Sequence, residues 1–334
     1  MYFSGRPNQS RVIALAVVLL LTPWLYRFSE GRFFIPTRET NESWEQKTID
    51  ISEPTEIPSP TSKTQSSSNP TLPEQSMIKS PPVDWASKHH EKTIVIGKIK
   101  TEDATWVQTH LSDWRPAIYA VDDQDDTDYL HVSVNKGRES MPYLTYLIDY
   151  YDDLSDINIF LHAHEDGWPR AWHNEPQSEN YSAVRMLQLL RLDNVRERGY
   201  VNLRCNGIPG CPGELHPNRK KFDKGAIEPG WKKLWFHMYG NTSYPTAVGV
   251  GCCAQFAVTR DKVREEPKEF YIKLMDWLLT TDSDDPSRVF EYFWHILFGM
   301  PLVHCETDYN ACICRTYDCG ADKKRSIDLF NNLA

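Results

Sequence analysis

The sequence predicts an α/β fold in which a mostly parallel sheet is flanked by helices. Three apolar segments, at residues 93–99, 116–121 and 157–161, have the length of buried strands. Segments with helical spacing of apolar residues lie between them, at residues 101–111 and 141–151. Strands that alternate with helices in this order are typical of βαβ units, whose parallel strands are joined by crossover helices.

Each element has a local signal of its own. Thr101-Glu-Asp-Ala is typical of a helix start, and Trp106, Val107 and Leu111 give the helix that follows an apolar face. A second short strand is expected at residues 131–134, before the 141–151 helix. Later helices are expected at residues 182–192, 267–279 and 287–298.

The folded domain is expected at residues 88–334, behind two segments of different character. Residues 1–36 contain an apolar run flanked by arginines, which favours a single membrane anchor over a cleaved signal peptide. Residues 37–87 are rich in Ser, Thr, Pro and Glu, so we expect a disordered linker that cannot bury enough apolar surface to fold. The sequence thus predicts a single-pass membrane protein, and nearly balanced flanking charge leaves the side of the membrane open.

The eight cysteines, all between Cys205 and Cys319, allow three interpretations. An even count suits a disulfide framework in an oxidising lumen, where Asn41, Asn180 and Asn241 would also be glycosylation sequons. The cysteines are otherwise small buried residues, with the adjacent Cys-Cys pair in a core strand. A zinc knuckle formed by the last four is the third interpretation.

The net charge of −9 argues against a largely basic surface for nucleic acid. A local exception lies at residues 219–221, Lys224 and residues 232–233, where six basic side chains are close in sequence. This patch would either receive a phosphate backbone or form an ordinary solvated loop.

Four carboxylates follow the second strand, within residues 122–126. Acids at the carboxyl end of a strand lie where an open α/β sheet binds its ligands. Because these charges repel one another, the cluster either faces water as a turn, raises a pKa or holds a cation such as Mg²⁺ or Mn²⁺.

The loop Asn135-Lys-Gly-Arg-Glu139 combines an amide, two cations and an acid around one glycine. The glycine would let backbone amides approach an anion, and Lys136 and Arg138 would supply countercharge. The same residues also suit the N-terminus of the 141–151 helix, and both interpretations can hold together.

Histidines end the third strand. His162 and His164 are two residues apart and would project to one face, and His173 follows a few residues later. Such a group suits a functional pocket with proton transfer or metal binding. Glu291 and His295 lie four residues apart in the predicted 287–298 helix, where they would form a core pair or close the site.

Several motifs are missing from the sequence. It has no G-x-x-x-x-G-K-[ST] loop, no G-x-G-x-x-G turn, no G-x-S-x-G elbow and no H-E-x-x-H helix. Kinase, dehydrogenase, serine hydrolase and zinc protease chemistry are therefore disfavoured, whereas a transferase whose donor is held by cations and acids stays open.

Over roughly residues 93 to 320, the chain resembles a fungal domain-of-unknown-function family that includes the arginine-containing cyclodipeptide synthases. Those enzymes join arginine to a second amino acid as a diketopiperazine in secondary metabolism, using arginyl-tRNA and a second aminoacyl-tRNA. The resemblance is carried by Val-Asp-Asp at 121–123, the segment 135–151, Ile-Phe-Leu-His-Ala-His at 159–164, Trp-His-Asn at 172–174, Gly-Tyr-Val-Asn-Leu-Arg-Cys at 199–205, Cys-Cys-Ala-Gln-Phe-Ala-Val-Thr-Arg at 252–260 and Glu-Tyr-Phe-Trp-His-Ile-Leu-Phe-Gly at 291–299.

The resemblance implies an aminoacyltransferase with an acidic Asp-Asp-x-x-Glu motif. This motif falls on Asp122, Asp123 and Asp126, where the last position is Asp, and residues 152–156 offer a competing match. The acids would bind the arginyl guanidinium or serve in acid–base work, and the basic patch would hold tRNA phosphates. We expect the pocket to be completed by Asn135, Lys136, Arg138, Glu139, His162, His164, His173, Glu291 and His295.

The same order of elements is similar to the glycosyltransferase-A fold, in which an Asp-x-Asp cluster binds a divalent cation and a diphosphate. Asp123-Gln-Asp125 has that spacing, and an anchor, stem, sequons and paired cysteines suit a luminal glycosyltransferase that uses a nucleotide-sugar. A membrane-tethered binding domain without catalysis is the third hypothesis. The compartment of the domain distinguishes the synthase from the glycosyltransferase hypothesis, since aminoacyl-tRNA is cytosolic.

Overall fold

A computed structural model of the protein describes residues 90–175 and 177–319. The predicted anchor at 1–36 and linker at 37–87 lie outside these residues. Within the described ranges, none of the helices combines the length and apolarity that crossing a membrane requires.

A six-stranded sheet forms the centre of the domain, in the order β3-β2-β1-β4-β7-β5. Strands β1 to β4 are mutually parallel where they pair, and β7 runs antiparallel to both of its neighbours. The predicted α/β fold with a mostly parallel sheet is confirmed. The strands are β1 (Lys92–Lys98), β2 (Arg115–Ala120), β3 (Leu130–His131), β4 (Ile157–His162), β5 (Tyr200–Asn202) and β7 (Phe256–Thr259), while β6 (Gly249–Val250) and β8 (Val303–His304) form a separate parallel pair.

Helices cover both faces of the sheet. Several begin at a residue whose side chain accepts a backbone N–H from the first turn, as Ser182, Thr259, Asp285 and Asp308 do, which supplies partners for donors that a helix start leaves free. The helices are α1 (Trp106–His110), α2 (Ser140–Asp149), α3 (Ala183–Leu189), α4 (Leu192–Arg198), α5 (Glu228–Tyr239), α6 (Arg260–Val263), α7 (Lys268–Thr280), α8 (Pro286–Glu291), α9 (Trp294–Leu297) and α10 (Tyr309–Thr316).

The central strands are buried on both faces, so side chains divide between two apolar layers. Along β1, Ile94 and Ile96 pack into one layer and Val95 into the other. Along β4, Ile159 and Phe160 divide in the same way. This alternation follows from the two-residue period of a strand, and it explains why the sequence of both strands is apolar throughout.

The predicted helix at 287–298 is wrong as a single element, because it is broken into α8 and α9. Tyr292, Phe293 and Trp294 lie at the break and are at most 1% exposed. A straight helix turns consecutive side chains to different sides, so it would not bury three such residues against one core. The predicted 182–192 helix likewise ends at Leu189, and α4 begins as a new helix at Leu192.

All eight cysteines form disulfides, so the zinc-knuckle interpretation is wrong. The pairs are Cys205–Cys312, Cys211–Cys305, Cys252–Cys253 and Cys314–Cys319. The first two connect the loops after β5 to the segment around β8 and α10, and they thereby attach the last part of the domain to the sheet.

Candidate functional site

The order of the strands places a crevice at the carboxyl ends of β1 and β4. The chain adds β2 and β3 on one side of β1 and then crosses to the other side to form β4, so the connections leave β1 and β4 in opposite directions. Open α/β sheets bind ligands at such a switch point. A cleft of about 510 Å³ lies there, lined by the end of β1 at Gly97–Ile99 and the end of β4 at His162–His164.

Three imidazoles form one wall of this cleft, as the sequence predicts. The ring centre of His173 lies 4.6 Å from that of His162 and 5.3 Å from that of His164. His162 Nε2 donates to the carbonyl of Cys253 at 2.8 Å, which places a proton on Nε2 and leaves Nδ1 as the acceptor of the neutral ring. His164 Nε2 lies 3.2 Å from Glu102, and this contact holds the pKa of the Glu102 carboxyl below its usual range.

His173 is the most deeply buried of the three histidines. Burial lowers its pKa to about 2, and the neighbouring His162 and His164 act in the same direction. Gln255 lies beside it and donates to its backbone carbonyl and to Asn174. A ring that stays neutral at physiological pH is suited to positioning or hydrogen bonding rather than to carrying charge.

Glu291 also lines the cleft. Its carboxylate accepts the backbone N–H of Cys253 at 2.8 Å, and burial raises the pKa of Glu291 although that hydrogen bond opposes the shift. A carboxyl group with a raised pKa in a cleft is a candidate for proton transfer near neutral pH.

The loop after β3 lies partly in the cleft. Asn135, Arg138 and Glu139 line it, and Glu139 accepts a 2.6 Å hydrogen bond from Ser287, a further lining residue. Lys136 points away and donates to the carbonyls of Leu279 and Thr281, at 2.8 and 2.9 Å. It is therefore bonded to the C-terminal end of α7, where an unpaired carbonyl accepts a cation well.

The acidic cluster lies beside the cleft and outside its lining. Asp122 accepts the backbone N–H of Lys100 at 2.8 Å, Asp123 pairs with the same lysine's ammonium at 3.0 Å, and Asp126 lies 4.0 Å from the Lys98 ammonium. The cluster is partly neutralised by these lysines. Its assignment to catalysis or guanidinium recognition stays a prediction.

His295 does not line the cleft. It is fully buried, it donates from Nε2 to the carbonyl of Leu302, and burial lowers its pKa to about 3. The expectation that Glu291 and His295 share one helix face is wrong, because the chain breaks between α8 and α9. Glu291 faces the cleft, whereas His295 serves the core.

Other lining residues were not singled out from the sequence. Glu102 belongs to the segment before α1, whose sequence is typical of a helix start, and Arg170 and Trp172 follow the β4 strand end. Arg204 supports this wall from behind: it stacks on Trp172 at 4.6 Å and donates to the carbonyl of the same residue at 3.2 Å. Only Trp172 had a local signal, since it adjoins the predicted His173.

The predicted divalent cation has no converging carboxylate set at the acidic cluster. Within residues 90–175 and 177–319, the ligand atoms that gather within 4.8 Å of one another belong to Cys252, Cys253 and Glu291. Asp123 is paired with Lys100 instead, and Asp125 is exposed. These residues do not fit Mg²⁺ or Mn²⁺ as arranged.

The fold and site define an α/β protein with a strand-end cleft that combines cations, a partly buried carboxyl group and three imidazoles. A family model described as protein of unknown function (DUF3431) matches residues 94–315, and the chain belongs to that family. Searches of curated proteins and of solved structures found no match.

Proposed function

We propose that the protein is a glycosyltransferase with a glycosyltransferase-A-like domain, which transfers a sugar from a nucleotide-sugar donor at the cleft. One observation carries the proposal: the cleft at the switch point is lined both by cations and by a partly buried carboxyl group. Lys98, Arg138 and Arg170 supply the cations, and Glu291 supplies the carboxyl group. The parallel order β3-β2-β1-β4, with an antiparallel strand inserted before β5, supports this topology.

The donor's diphosphate fits the cationic side of the cleft. Lys98 is only 5% exposed and its ammonium lies over the Tyr129 ring at 4.8 Å, so its position is set by packing. Arg138 and Arg170 are exposed at the mouth. Arginine and lysine stabilise the negative charge that develops on a leaving phosphate, and a site with partly buried cations does so more strongly than water.

Glu291 is suited to be the general base. An acceptor hydroxyl oxygen attacks the anomeric carbon, the bond from that carbon to the diphosphate oxygen breaks, and the hydroxyl proton passes to the Glu291 carboxylate. The raised pKa makes this carboxylate a better proton acceptor than an exposed one. Because a nucleotide-sugar is already activated, the absence of a triphosphate-binding loop from the sequence is consistent with this reaction.

The disulfides favour this reaction over one that uses aminoacyl-tRNA. Four disulfides in one domain are typical of the secretory lumen, where nucleotide-sugars serve as donors, and are rare in the reducing cytosol. Asn180 is exposed within an Asn-Tyr-Ser sequon and is therefore accessible to a glycan. The predicted N-terminal anchor and linker would tether such a domain to the luminal face of a membrane.

An arginine-containing cyclodipeptide synthase is the second candidate. Glu102, Glu139 and Glu291 all line the cleft, and carboxylates bind a guanidinium through paired hydrogen bonds. The basic patch keeps Arg219, with the lysines at 220, 221 and 224, exposed to solvent, as contact with tRNA phosphates requires. An aminoacyl ester is likewise activated, so this aminoacyltransferase would also need no ATP site.

The test is release of nucleoside diphosphate by the purified domain, produced in a secretory host and supplied with UDP- and GDP-sugars and a mixture of acceptors. We expect turnover with one donor, and a loss of about 100-fold or more in Glu291→Gln, which is the scale of general-base catalysis. Arg170→Ala should weaken the reaction, whereas Arg219→Ala, an exposed arginine outside the cleft, should match the wild type.

A parallel assay supplies arginyl-tRNA with other aminoacyl-tRNAs and searches for cyclic dipeptides by mass spectrometry. A cyclic dipeptide without nucleotide release would overturn the glycosyltransferase proposal and establish the synthase. A glycan on Asn180 of the native protein would exclude the synthase, because the domain would then be luminal. Failure of both donors in the folded protein would favour a tethered binding domain.

A further inference from the structure

The adjacent cysteines Cys252 and Cys253 lie on the wall of the cleft, next to the Glu291 carboxylate. Cys253 and Glu291 line the cleft, and Cys252 is 2% exposed behind them. One sulfur from each cysteine and one oxygen of Glu291 lie within 4.8 Å of one another. Two sulfur atoms and a carboxylate at this spacing can bind one metal ion when the sulfurs are not bonded to each other.

The backbone around the pair keeps the three groups together independently of the S–S bond. Cys253 donates its N–H to Glu291 and accepts His162 Nε2 on its carbonyl, both at 2.8 Å. Cys253 and Ala254 have φ angles of 84° and 50°, in the left-handed region that residues other than glycine rarely adopt. The two hydrogen bonds to Cys253 use its backbone N–H and carbonyl and no sulfur atom, so both remain available to hold this turn when the sulfurs separate.

We propose that Cys252, Cys253 and Glu291 form a redox-gated site for a thiophilic divalent cation such as Zn²⁺. In the oxidised protein the sulfurs are bonded to each other and provide no thiolate. In the reduced protein two thiolates and a carboxylate face the same point, with the fourth position open to the cleft. Thiolate ligands select zinc and other soft cations over Mg²⁺ and Ca²⁺.

In the test tube, a phosphine supplies the two electrons that reduce the disulfide. The phosphine and one water molecule open the S–S bond, two electrons pass from phosphorus to the sulfurs, the water's two protons end on the thiols, and its oxygen ends on the phosphine oxide. A protein dithiol does the same in a cell and leaves as a disulfide. The cation then displaces both thiol protons, and its Zn–S bonds of 2.3 Å set the sulfurs about 3.8 Å apart.

Opening this bond should leave the fold intact. The pair joins neighbouring residues, whereas Cys205–Cys312 and Cys211–Cys305 close loops of 107 and 94 residues. A disulfide stabilises chiefly by restricting the unfolded chain, and the restriction grows with loop length. A bond between neighbours restricts almost nothing, so reduction here changes the chemistry of the cleft and not the stability of the domain.

The experiment treats the purified domain with a phosphine under anaerobic conditions, removes the reagent, and titrates Cd²⁺ while recording the near-ultraviolet sulfur-to-cadmium band. Alkylation and mass spectrometry identify which cysteines are reduced, and circular dichroism reports the fold. We expect one Cd²⁺ per chain in the reduced protein and none in the oxidised protein. The proposal does not depend on the donor, because the readout is binding and not turnover.

Three variants separate this site from other thiols. Cys252→Ser with Cys253→Ser should abolish the band, and Cys314→Ser with Cys319→Ser should leave it unchanged. Glu291→Gln should weaken Cd²⁺ binding by tenfold or more, since even residues that only hydrogen-bond to metal ligands contribute about 10- to 100-fold to metal affinity. The matched Glu102→Gln, which alters a cleft carboxylate paired with His164, should bind as the wild type does.

Three results would overturn the proposal. One is a folded protein with free thiols at both positions and no cadmium band. Another is a pair that resists reduction until the circular dichroism signal of the fold is lost, because the site requires the dithiol in the native domain. Equal binding by the doubly serine-substituted chain would also place the cation elsewhere.

Discussion

The two long-range disulfides close nested loops, and we expect their removal to be non-additive. Cys211 lies six positions after Cys205, and Cys312 lies seven positions after Cys305. While Cys211–Cys305 is present, the other bond therefore closes an extra loop of only about 13 residues in the unfolded chain, instead of its full sequence separation of 107.

The chain-entropy relation gives the magnitudes. Removing either bond alone should lower the free energy of unfolding by about 3 kcal/mol, because the remaining bond already holds the two cysteines of the removed pair near each other in the unfolded chain. Removing both exposes a full loop of about 100 residues as well, so the cost rises to about 7.5 kcal/mol. The double removal thus exceeds the sum of the single removals by about 1.5 kcal/mol. The cavities left by the buried sulfur atoms enter single and double variants equally and cancel in this difference.

The assay is urea unfolding of three alanine variants, Cys205→Ala with Cys312→Ala, Cys211→Ala with Cys305→Ala, and all four together. Cys314→Ala with Cys319→Ala is the control: its bond closes a loop of five residues and should cost about 2 kcal/mol, additively with either long-range pair. Additive costs of about 5 kcal/mol for each long-range bond would refute the nested-loop argument. If the fourfold variant is already unfolded without urea, it gives only a lower limit on the joint loss of stability. The losses in the two single-pair variants, about 3 or about 5 kcal/mol each, then decide between nested and independent loops.

Two further predictions concern buried polar groups. Tyr146→Phe should lower the free energy of unfolding by about 1 to 3 kcal/mol, because the Tyr146 hydroxyl donates to buried Asn158 at 2.7 Å. Tyr143→Phe should lower it little, because that buried hydroxyl has no partner among the described residues. Equal losses in the two variants would contradict this prediction. His173 and His295 stay neutral in the folded state, where their pKa values are about 2 and about 3. In the unfolded chain they take up protons near pH 6.5. The free energy of unfolding should therefore fall as the pH drops below 6.5, by about 1.4 kcal/mol per pH unit for each histidine. His295→Gln should make the urea-determined slope between pH 6 and pH 4 shallower by that amount, and an unchanged slope would show that this histidine is not buried as neutral imidazole.

The cleft brings together groups that the strand ends alone do not define. Glu291 and Ser287 come from α8, Glu102 from the segment before α1, and Cys253 from the turn before β7. The histidines and the loop after β3 supply the rest. This mixture gives one cleft both cationic and carboxylate side chains, which the proposed reaction would use for a leaving phosphate and an acceptor hydroxyl.

The sequence by itself determined part of the central sheet. Val95 and Phe160 belong to continuous apolar segments of strand length, and helical segments alternate with them, so β1, β2 and β4 and their parallel direction follow from local composition and spacing, whereas β5 and β7 do not. The positions of His162 and His164 in the cleft followed for the same reason, because the end of a strand lies at the edge of the sheet wherever the strand is placed.

Only the tertiary structure decided what lies opposite those strand ends. Eight cysteines permit 105 pairings, and the choice depends on which loops meet in space. Lys136 bonds to carbonyls of α7 and His295 turns into the core, although both look suitable in sequence. Periodicity is a property of neighbouring residues, whereas a cleft wall is a contact between residues far apart in the chain, and packing alone determines which side chains face it.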